Sequence, residues 1–331
     1  MTLFELDLPK AHEQAYLKLV KDGLFKRIDN GVQKNKNHVE LTPEVKEILI
    51  PGYLSGNPDY KQIERLLIAE PEELKKLNDK LMKKINQLPA DKQPKENYLE
   101  YIFNYGGVLN STDKRKAYKV SKMIGVNTCP YCNRQYTFTI VEADEDEDEK
   151  EGKISRPAFD HWFPKSSYPL MSISLYNLIP SCTVCNSSAK GQTDMNLKEY
   201  IHPYVHKSSH PQIKFKAVPS TLPDRKWSIK IERKDNTPED KTINLFKLDD
   251  VYRYHDLLEL KDIMDFRENY PDGFLDDLVT LIEGKQAPSK GSKLTRADVY
   301  RMLFGVEWDD EKHLDRPFGK LKNDILKEVI K

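Results

Sequence analysis

Hydrophobic positions recur at helical spacing through the first third of the chain. Apolar residues repeat every three or four positions in residues 16–24 and again in residues 63–74, and this spacing is typical of helices that bury one face. Polar or proline-containing connectors interrupt the pattern at residues 29–37, 52–59 and 89–94. A basic helix is predicted over residues 114–123. Residues 1–125 are therefore predicted to form a mostly helical N-terminal region.

The hydrophobic pattern changes after residue 132. Residues 135–141 and 154–163 are rich in β-branched and aromatic side chains, which predicts two strands joined by the acidic stretch 142–151. A short helix is predicted from Thr183, and Gly191 suits the position just after its end. Strands are then predicted at residues 212–218 and 227–233, and helices at residues 251–264 and 296–304.

These elements predict an α+β protein in three parts. A compact core occupies residues 126–210, between the helical region 1–125 and a C-terminal region, 211–331, made of a small β element and helices. No run approaches the eighteen or so apolar residues that a membrane span needs. The first residues include acids and lack an apolar signal segment. We therefore expect a cytoplasmic protein with no membrane partner.

Charge is unevenly distributed along the chain. The 331 residues include 53 Lys and Arg and 53 Asp and Glu, a formal net charge of zero. Eight of the acids lie in residues 142–151, and removing that stretch leaves 52 basic against 45 acidic residues. The rest of the chain is thus mildly basic, so the net charge does not exclude a nucleic-acid partner.

The chain has four cysteines, and they form two C-x-x-C pairs: Cys129 with Cys132, and Cys182 with Cys185. Such pairs supply two thiolates each from tight turns, which is the ligand set of a structural Zn²⁺ site. The alternatives are a redox motif or unligated buried thiols. A redox motif needs only one pair, so the sequence predicts a structural zinc site.

Candidate catalytic residues lie between and after the cysteine pairs. Asp160 and His161 are adjacent on a predicted strand, Asn177 follows, and Asn186 comes directly after Cys185. A neutral imidazole is suited to take a proton from water, and carboxylate and amide oxygens suit Mg²⁺. Neighbours on a strand point to opposite faces, so a bulge or a strand end is expected at Asp160 and His161.

This order of residues resembles the zinc-containing branch of the HNH endonucleases. The resemblance covers residues 129–191 and rests on FDHWFPK, NLIPSCTVCN and the lysine that follows. It implies a ββα-metal, treble-clef-like core in which His161 is the general base and Asn177 holds the loop that orients it. It also implies that Asp160 and Asn186 bind Mg²⁺ or Mn²⁺. Many members have His at the last position, and the amide of Asn186 favours these harder cations over softer metals.

Within that family, the motifs are most similar to nuclease subunits of bacterial anti-phage systems of the Septu type and to retron-linked effectors. This resemblance implies a role in antiviral defence and a partner subunit that is an SMC-like ATPase. Nucleic acid is the expected substrate, DNA before RNA. Arg134, Lys165 and Lys190 are expected to contact its backbone phosphates.

Several alternatives remain open at this point. The substrate could be RNA, such as a tRNA, or the zinc core could be a binding module without catalysis. His202, His206 and His210 are expected to be structural, and Phe159, Trp162 and Phe163 are expected to be core residues. The acidic stretch is predicted to be a solvated hairpin tip; alternatively, its carboxylates mimic phosphate and restrain a nuclease.

Overall fold

The structure is a computed structural model, and it describes residues 4–109, 115–141, 153–205, 213–271, 273–284 and 295–329. Two predicted features, the acidic stretch 142–151 and the pair His206 and His210, lie outside the described residues. Among the described residues, no helix is long and apolar enough to cross a membrane.

The N-terminal region is helical as predicted. Its helices are α1 (Lys10–Asn30), α2 (Pro43–Leu49), α3 (Lys61–Ile68), α4 (Pro71–Asn86), α5 (Tyr98–Ile102), α6 (Tyr105–Leu109) and α7 (Arg115–Ile124). In α1 the buried residues are Tyr16, Leu17, Val20, Leu24 and Ile28. They follow the predicted spacing because one stripe of a helix can face the core.

The expected connector 29–37 contains a small hairpin that the sequence pattern did not predict. Strand β1 (Val32–Lys34) pairs antiparallel with β2 (Asn37–Val39). Asn35 and Lys36 between them have φ values of 50° and 66°, the left-handed backbone that a two-residue hairpin turn requires. Three-residue strands are too short to show an alternating pattern, and this prediction was therefore wrong.

Two antiparallel pairs form the centre. Strand β3 (Ile140–Val141) pairs with β4 (Lys153–Ser155), and β5 (Ala158–His161) pairs with β6 (Leu178–Ser181). A short, wide helical turn (Val184–Lys190), here called the site helix, follows β6 and ends at Gly191 as predicted. The order in this part is strand, loop, strand, helix.

One expected strand is two strands in the structure. The sequence predicts one strand over residues 154–163, but β4 ends at Ser155 and β5 begins at Ala158. Pro157 lies in the break, and proline has no N–H to donate to a strand ladder. The prediction of one continuous strand was therefore wrong, and the strand that carries Asp160 and His161 pairs with β6.

The C-terminal region combines a hairpin with helices. Strands β7 (Lys214–Pro219) and β8 (Trp227–Glu232) are antiparallel. The helices are α8 (Pro238–Leu245), α9 (Leu248–Arg253), α10 (Lys261–Asn269), α11 (Phe274–Gly284), α12 (Arg296–Phe304) and α13 (Gly319–Val329). The predicted helix 251–264 is divided by a wide turn at Asp256–Leu260, whereas α12 has the predicted bounds.

The helical N-terminal region packs directly on the loop between β5 and β6. The Tyr16 hydroxyl donates to the Ile173 carbonyl, the Ser172 hydroxyl donates to the Phe103 carbonyl, and Ser174 Oγ donates to the Leu66 carbonyl at 2.6 Å. One hydrophobic cluster runs from Phe4 to Leu326. The fold is thus α+β, and the predicted domain boundaries stay predictions.

Candidate functional site

The four cysteines come together although 50 residues separate the pairs. All four Sγ atoms lie within 4.8 Å of one another, and the cysteines are buried. Cys132 Sγ and Cys182 Sγ are 3.9 Å apart. Zinc–sulfur bonds of about 2.3 Å in a tetrahedron place the sulfurs about 3.8 Å apart. The cluster could therefore hold a zinc ion, and no disulfide joins these cysteines.

The electrostatics of the cluster favour a bound cation. Hydrogen bonds from Cys129 and Cys132 hold the pKa of Cys182 far below its usual range. Hydrogen bonds with Cys129, Cys132 and Cys182, together with burial, hold the pKa of Cys185 far above its usual range. Four thiolates need a compensating cation there, and Zn²⁺ binds thiolates as ligands.

The C-terminal region holds the first cysteine pair in place. Asn133 follows Cys132, and its Nδ2 donates to the carbonyls of His313 and Arg316 at 3.0 and 3.1 Å. The Tyr252 hydroxyl donates to the Cys132 carbonyl at 2.7 Å. These contacts span more than a hundred residues of sequence, and no local pattern predicts them.

His161 is the last residue of β5. Its Nε2 lies 2.8 Å from the Ser172 carbonyl, and its ring meets the Tyr105 ring edge-on at 5.4 Å. Burial lowers the pKa of His161 to about 4, so the ring is neutral near pH 7. A carbonyl only accepts hydrogen bonds, so Nε2 carries the proton and Nδ1 carries the free lone pair. The imidazole can therefore accept a proton at Nδ1.

Asn177 fixes the loop that leads from His161 to β6. Its side chain is fully buried. Its Oδ1 accepts from the Phe163 N–H at 2.7 Å, and its Nδ2 donates to the carbonyls of Phe163 and Met171 at 3.1 and 2.9 Å. Ser172, whose carbonyl holds the His161 ring, follows Met171 directly. Asn177 thus positions the carbonyl that selects the His161 tautomer.

Asp160 and His161 make contacts on different sides of β5. The pairing of β5 with β6 has no bulge, and β5 ends at His161; of the two expected alternatives, the strand end is the one found. The Asp160 carboxylate is buried and accepts from the Tyr131 hydroxyl at 2.6 Å and from Lys190 Nζ at 3.0 Å. Burial raises the pKa of Asp160, and the Lys190 charge opposes that rise.

Lys190 is buried, whereas a lysine that contacts a backbone phosphate is exposed. Its side chain is 1% exposed, and its ammonium donates to the Asp160 carboxylate and, at 2.7 Å, to the His161 carbonyl. A phosphate on the surface does not reach it in this arrangement. The sequence did not indicate this pairing because Asp160 and Lys190 lie on different elements. Asn186, one helical turn before Lys190, is half-buried on the site helix.

The other predicted residues lie at varied depths. Lys165 is exposed, and Arg134 is half-buried, with Nη1 3.4 Å from His255 Nε2. Phe159, Trp162 and Phe163 are buried, as predicted for core residues. His202 is also buried, and its ring centroid lies 4.5 Å from that of Trp162.

Three residues near His161 were not predicted from the sequence. They are Tyr105, Tyr131 and Ser172, which contact His161 or Asp160. Tyr131, inside the first C-x-x-C pair, lies close to the predicted motif, but its contact with Asp160 appears only in the fold. Ser172 acts through its carbonyl, so its residue type carries no signal.

Comparison with known proteins gives one partial match. A 50-residue segment is 42% identical to Protein ea31 of Escherichia phage lambda, which is 14% of this chain and 17% of that protein. The chain thus spans less than a fifth of the length of the relative that it matches. No family model matches the chain. No solved structure matches it either.

Proposed function

We propose that this chain is a metal-dependent HNH-type endonuclease that hydrolyses nucleic-acid phosphodiesters, DNA before RNA, with zinc as a structural ion. The observation that carries the proposal is the state of His161. A neutral imidazole stands at the end of a strand, its Nε2 is bonded to a carbonyl, and its Nδ1 is left to accept a proton. The succession of β5, the Asn177 loop, β6 and the site helix also agrees with the order that the resemblance implies.

In this proposal His161 activates water. Nδ1 takes a proton from the water that attacks phosphorus, the P–O bond to the leaving oxygen breaks, and that oxygen takes up a proton from solvent. The low pKa keeps His161 unprotonated before each turnover. Asn177 acts at a distance, because it holds the backbone around Met171 and Ser172 and thereby the orientation of the ring. Loss of Asn177 would leave the base present but poorly directed.

Asp160 and Asn186 would hold the catalytic cation. Carboxylate and amide oxygens are the donors that Mg²⁺ and Mn²⁺ prefer, so the donor set fits. When bound, such a cation neutralises charge that develops on the phosphate. The Lys190 ammonium occupies the Asp160 carboxylate in this structure. Cation binding at Asp160 therefore competes with Lys190, and a displaced Lys190 is free to contact phosphate.

The distribution of charge supports a polyanionic substrate. Outside residues 142–151 the chain carries 52 Lys and Arg against 45 Asp and Glu, and residues 115–141 contain five of these cations and no acid. Lys165, three residues after Trp162, is exposed close to the base. The role in antiviral defence and the SMC-like ATPase partner belong to this proposal as implications of the motif resemblance.

Plasmid cleavage by wild type and His161→Ala tests the proposal. Supercoiled plasmid and a structured RNA are incubated with each protein, with and without Mg²⁺ or Mn²⁺, and bound zinc is quantified. His38→Ala is the matched control, because His38 is an exposed histidine on β2. We expect cation-dependent cleavage that His161→Ala loses by about 100-fold or more and that His38→Ala retains. Equal cleavage by wild type and His161→Ala at equal zinc content rejects His161 as the base.

A non-catalytic zinc module is the second candidate, and one observation favours it. The only described carboxylate at the site, Asp160, is already neutralised by Lys190 inside the protein. Nucleic-acid binding that is the same in wild type, His161→Ala and Asp160→Asn, without cleavage by any of them, would support this reading.

A further inference from the structure

The two cysteine pairs carry the residues that hold both oxygens of the Asp160 carboxylate. Oδ2 accepts from the Tyr131 hydroxyl at 2.6 Å, and Oδ1 accepts from Lys190 Nζ at 3.0 Å. Tyr131 lies inside the first C-x-x-C pair, and Lys190 ends the site helix, which begins inside the second pair. The cysteine cluster is thus connected to Asp160 through both of its pairs.

The direction of the Tyr131 ring is fixed by its neighbours in the fold. The side chain is fully buried, and its ring stacks on that of Phe246, with centroids 4.4 Å apart and planes that differ by 20°. Its backbone belongs to a tight turn, in which the Asn133 N–H donates to the Cys129 carbonyl at 2.7 Å. Zinc at the cysteines would bind both ends of this turn. The hydroxyl is therefore presented to Asp160 in one orientation.

The contact between Tyr131 and Asp160 is a strong hydrogen bond. An O–H donor and an ionised carboxylate lie about 2.5–2.7 Å apart, and bonds of this kind are roughly twice as strong as those between neutral groups. The 2.6 Å between the Tyr131 hydroxyl and Oδ2 falls in that range. Because the tyrosine ring cannot turn away without losing its stacking on Phe246, Oδ2 keeps this partner.

Lys190 is the partner of Asp160 that can be exchanged. Its ammonium is carried by a flexible four-carbon stem, at the last residue of the site helix and directly before Gly191. A divalent cation and an ammonium compete for the same carboxylate oxygen, because both are positively charged. Oδ1 is therefore the oxygen that a cation would take over, while Tyr131 holds Oδ2.

The carboxylates that bind metals in proteins are themselves hydrogen-bonded, and loss of such a partner weakens metal binding about 10- to 100-fold. Tyr131 has this relation to Asp160. Asn186, the second expected ligand, directly follows Cys185. Both expected cation ligands are thus tied to the cysteine cluster, one by adjacency in sequence and one through the Tyr131 hydroxyl.

We propose that Tyr131 is a positioning residue for the catalytic cation: it holds Oδ2 of Asp160 and leaves Oδ1 for the cation, so the first cysteine pair takes part in the cation site. This proposal rests on the proposed function, because the cation at Asp160 belongs to it. It goes further by assigning a role to Tyr131, which the motif resemblance leaves without one. Zinc, proposed as a structural ion, then also fixes the orientation of the Asp160 carboxylate.

Mn²⁺ binding, measured apart from cleavage, tests this role. The full zinc-loaded chain is titrated with Mn²⁺ alone, without nucleic acid, and free Mn²⁺ is followed by electron paramagnetic resonance. Zinc content and the folded fraction are determined for each variant, and the Mn²⁺ affinity is referred to the folded, zinc-loaded protein.

The variants are Tyr131→Phe, Asp160→Asn and the two combined. Asp160→Asn identifies the Mn²⁺ that binds at this site, since the acids of residues 142–151 also attract cations. Tyr300→Phe is the matched control, because Tyr300 is also fully buried and its hydroxyl donates to Asn323 Oδ1 at 3.0 Å.

We expect Tyr131→Phe to weaken Mn²⁺ affinity by about 10- to 100-fold and Tyr300→Phe to leave it unchanged. The combined variant should bind Mn²⁺ no more weakly than Asp160→Asn alone, because Tyr131 acts through that carboxylate. Lys190→Met should strengthen Mn²⁺ binding at least about tenfold, because no ammonium has to be displaced. Each phenylalanine variant loses one buried hydroxyl, so a purely structural role would affect Mn²⁺ affinity alike in the two.

A second variant keeps the role testable if Tyr131→Phe does not fold. Phe246→Leu removes the ring that stacks on Tyr131 and keeps the hydroxyl, so the hydrogen bond to Asp160 loses its fixed direction. We expect this variant to weaken Mn²⁺ affinity about threefold or more, which is part of the loss for a missing partner. Wild-type affinity in Phe246→Leu would then refute the role.

Other outcomes overturn the positioning role. It is refuted if Tyr131→Phe or Asp160→Asn binds Mn²⁺ as wild type does, or if Tyr300→Phe weakens binding equally. If Mn²⁺ affinity depends on Tyr131 and Asp160 but wild type and His161→Ala cleave nucleic acid equally, the nuclease proposal fails and the positioning role stands. If cleavage depends on His161 but Mn²⁺ affinity does not depend on Tyr131, the nuclease proposal stands and the positioning role fails.

Discussion

Replacing Lys190 by methionine tests whether the Asp160–Lys190 pair is a buried electrostatic interaction. The two side chains are 3% and 1% exposed, and Nζ lies 3.0 Å from the carboxylate oxygen. At an effective dielectric constant of about 20, two charges at that distance attract each other by about 5 kcal/mol. Methionine keeps the length and apolar stem of lysine, so the main change is the loss of charge.

We expect Lys190→Met to lower the free energy of unfolding by about 3–5 kcal/mol, because it leaves the Asp160 carboxylate buried without its cation. Asp160→Asn should cost a similar amount. The double variant contains no buried unpaired charge, so its cost should be smaller than the sum of the two by about 2–3 kcal/mol.

Urea unfolding near neutral pH, followed by circular dichroism with zinc content held equal, measures these free energies. Lys75→Met is the matched control, because Lys75 and Asp79 form a pair at 2.6 Å in which the side chains are 31% and 53% exposed. That control should cost less than about 1 kcal/mol. If the double variant loses the sum of the two single-variant losses in unfolding free energy, within about 0.5 kcal/mol, the interaction between Lys190 and Asp160 is refuted.

Three further predictions concern the buried groups around the site. Asn177→Ala removes three buried hydrogen bonds and should lower the free energy of unfolding in urea by about 3 kcal/mol or more. Asn196→Ala, at an exposed asparagine, should lower it by about 1 kcal/mol or less. Equal losses would show that the Asn177 side chain does not hold the loop. Cys182→Ser should lose zinc and fold poorly, since a structural zinc site contributes folding free energy. Zinc quantification and urea unfolding check this, and a zinc-free variant that is as stable as wild type would refute it. Burial lowers the pKa of His202 from 6.5 to about 3, so the folded protein binds fewer protons than the unfolded chain in that interval. His202 therefore contributes full stability above about pH 6.5 and loses about 1.4 kcal/mol per pH unit as the pH falls towards 3. His202→Phe should flatten the urea-derived stability profile between these pH values, and parallel profiles for the two proteins would refute the assignment.

Local patterns in the sequence predicted several elements well. The buried stripe of α1, the bounds of α12 and the end of the site helix at Gly191 follow from apolar spacing and from the terminal glycine. The two C-x-x-C spacings predicted the cluster of four cysteines that could hold zinc, because two thiolates three residues apart already lie within reach of one ion. Each helix feature and each C-x-x-C pair depends on neighbours in sequence, which is why a single sequence reveals them.

Pairing between strands was beyond the sequence pattern. Alternation predicts that a segment is extended, but it does not choose its partner strand. Residues 135–141 were predicted to form one strand, but only Ile140 and Val141 do so. Tyr136 and Phe138 are exposed, whereas Thr139 donates to Ser121 of α7. Whether a side chain in this segment is buried depends on the element that the fold places beside it. Here that element is α7, which lies outside the segment.

The sequence by itself determined which residue types are available for chemistry: four thiolate ligands, a D-H pair and two asparagines in order. Only the tertiary structure decided their states. It partly buried His161 and gave its Nε2 a carbonyl partner, and it placed the Lys190 ammonium on the Asp160 carboxylate. The reason is that pKa values and hydrogen-bond partners depend on atoms within a few ångströms. Here those atoms come from Ser172, Tyr105 and the site helix.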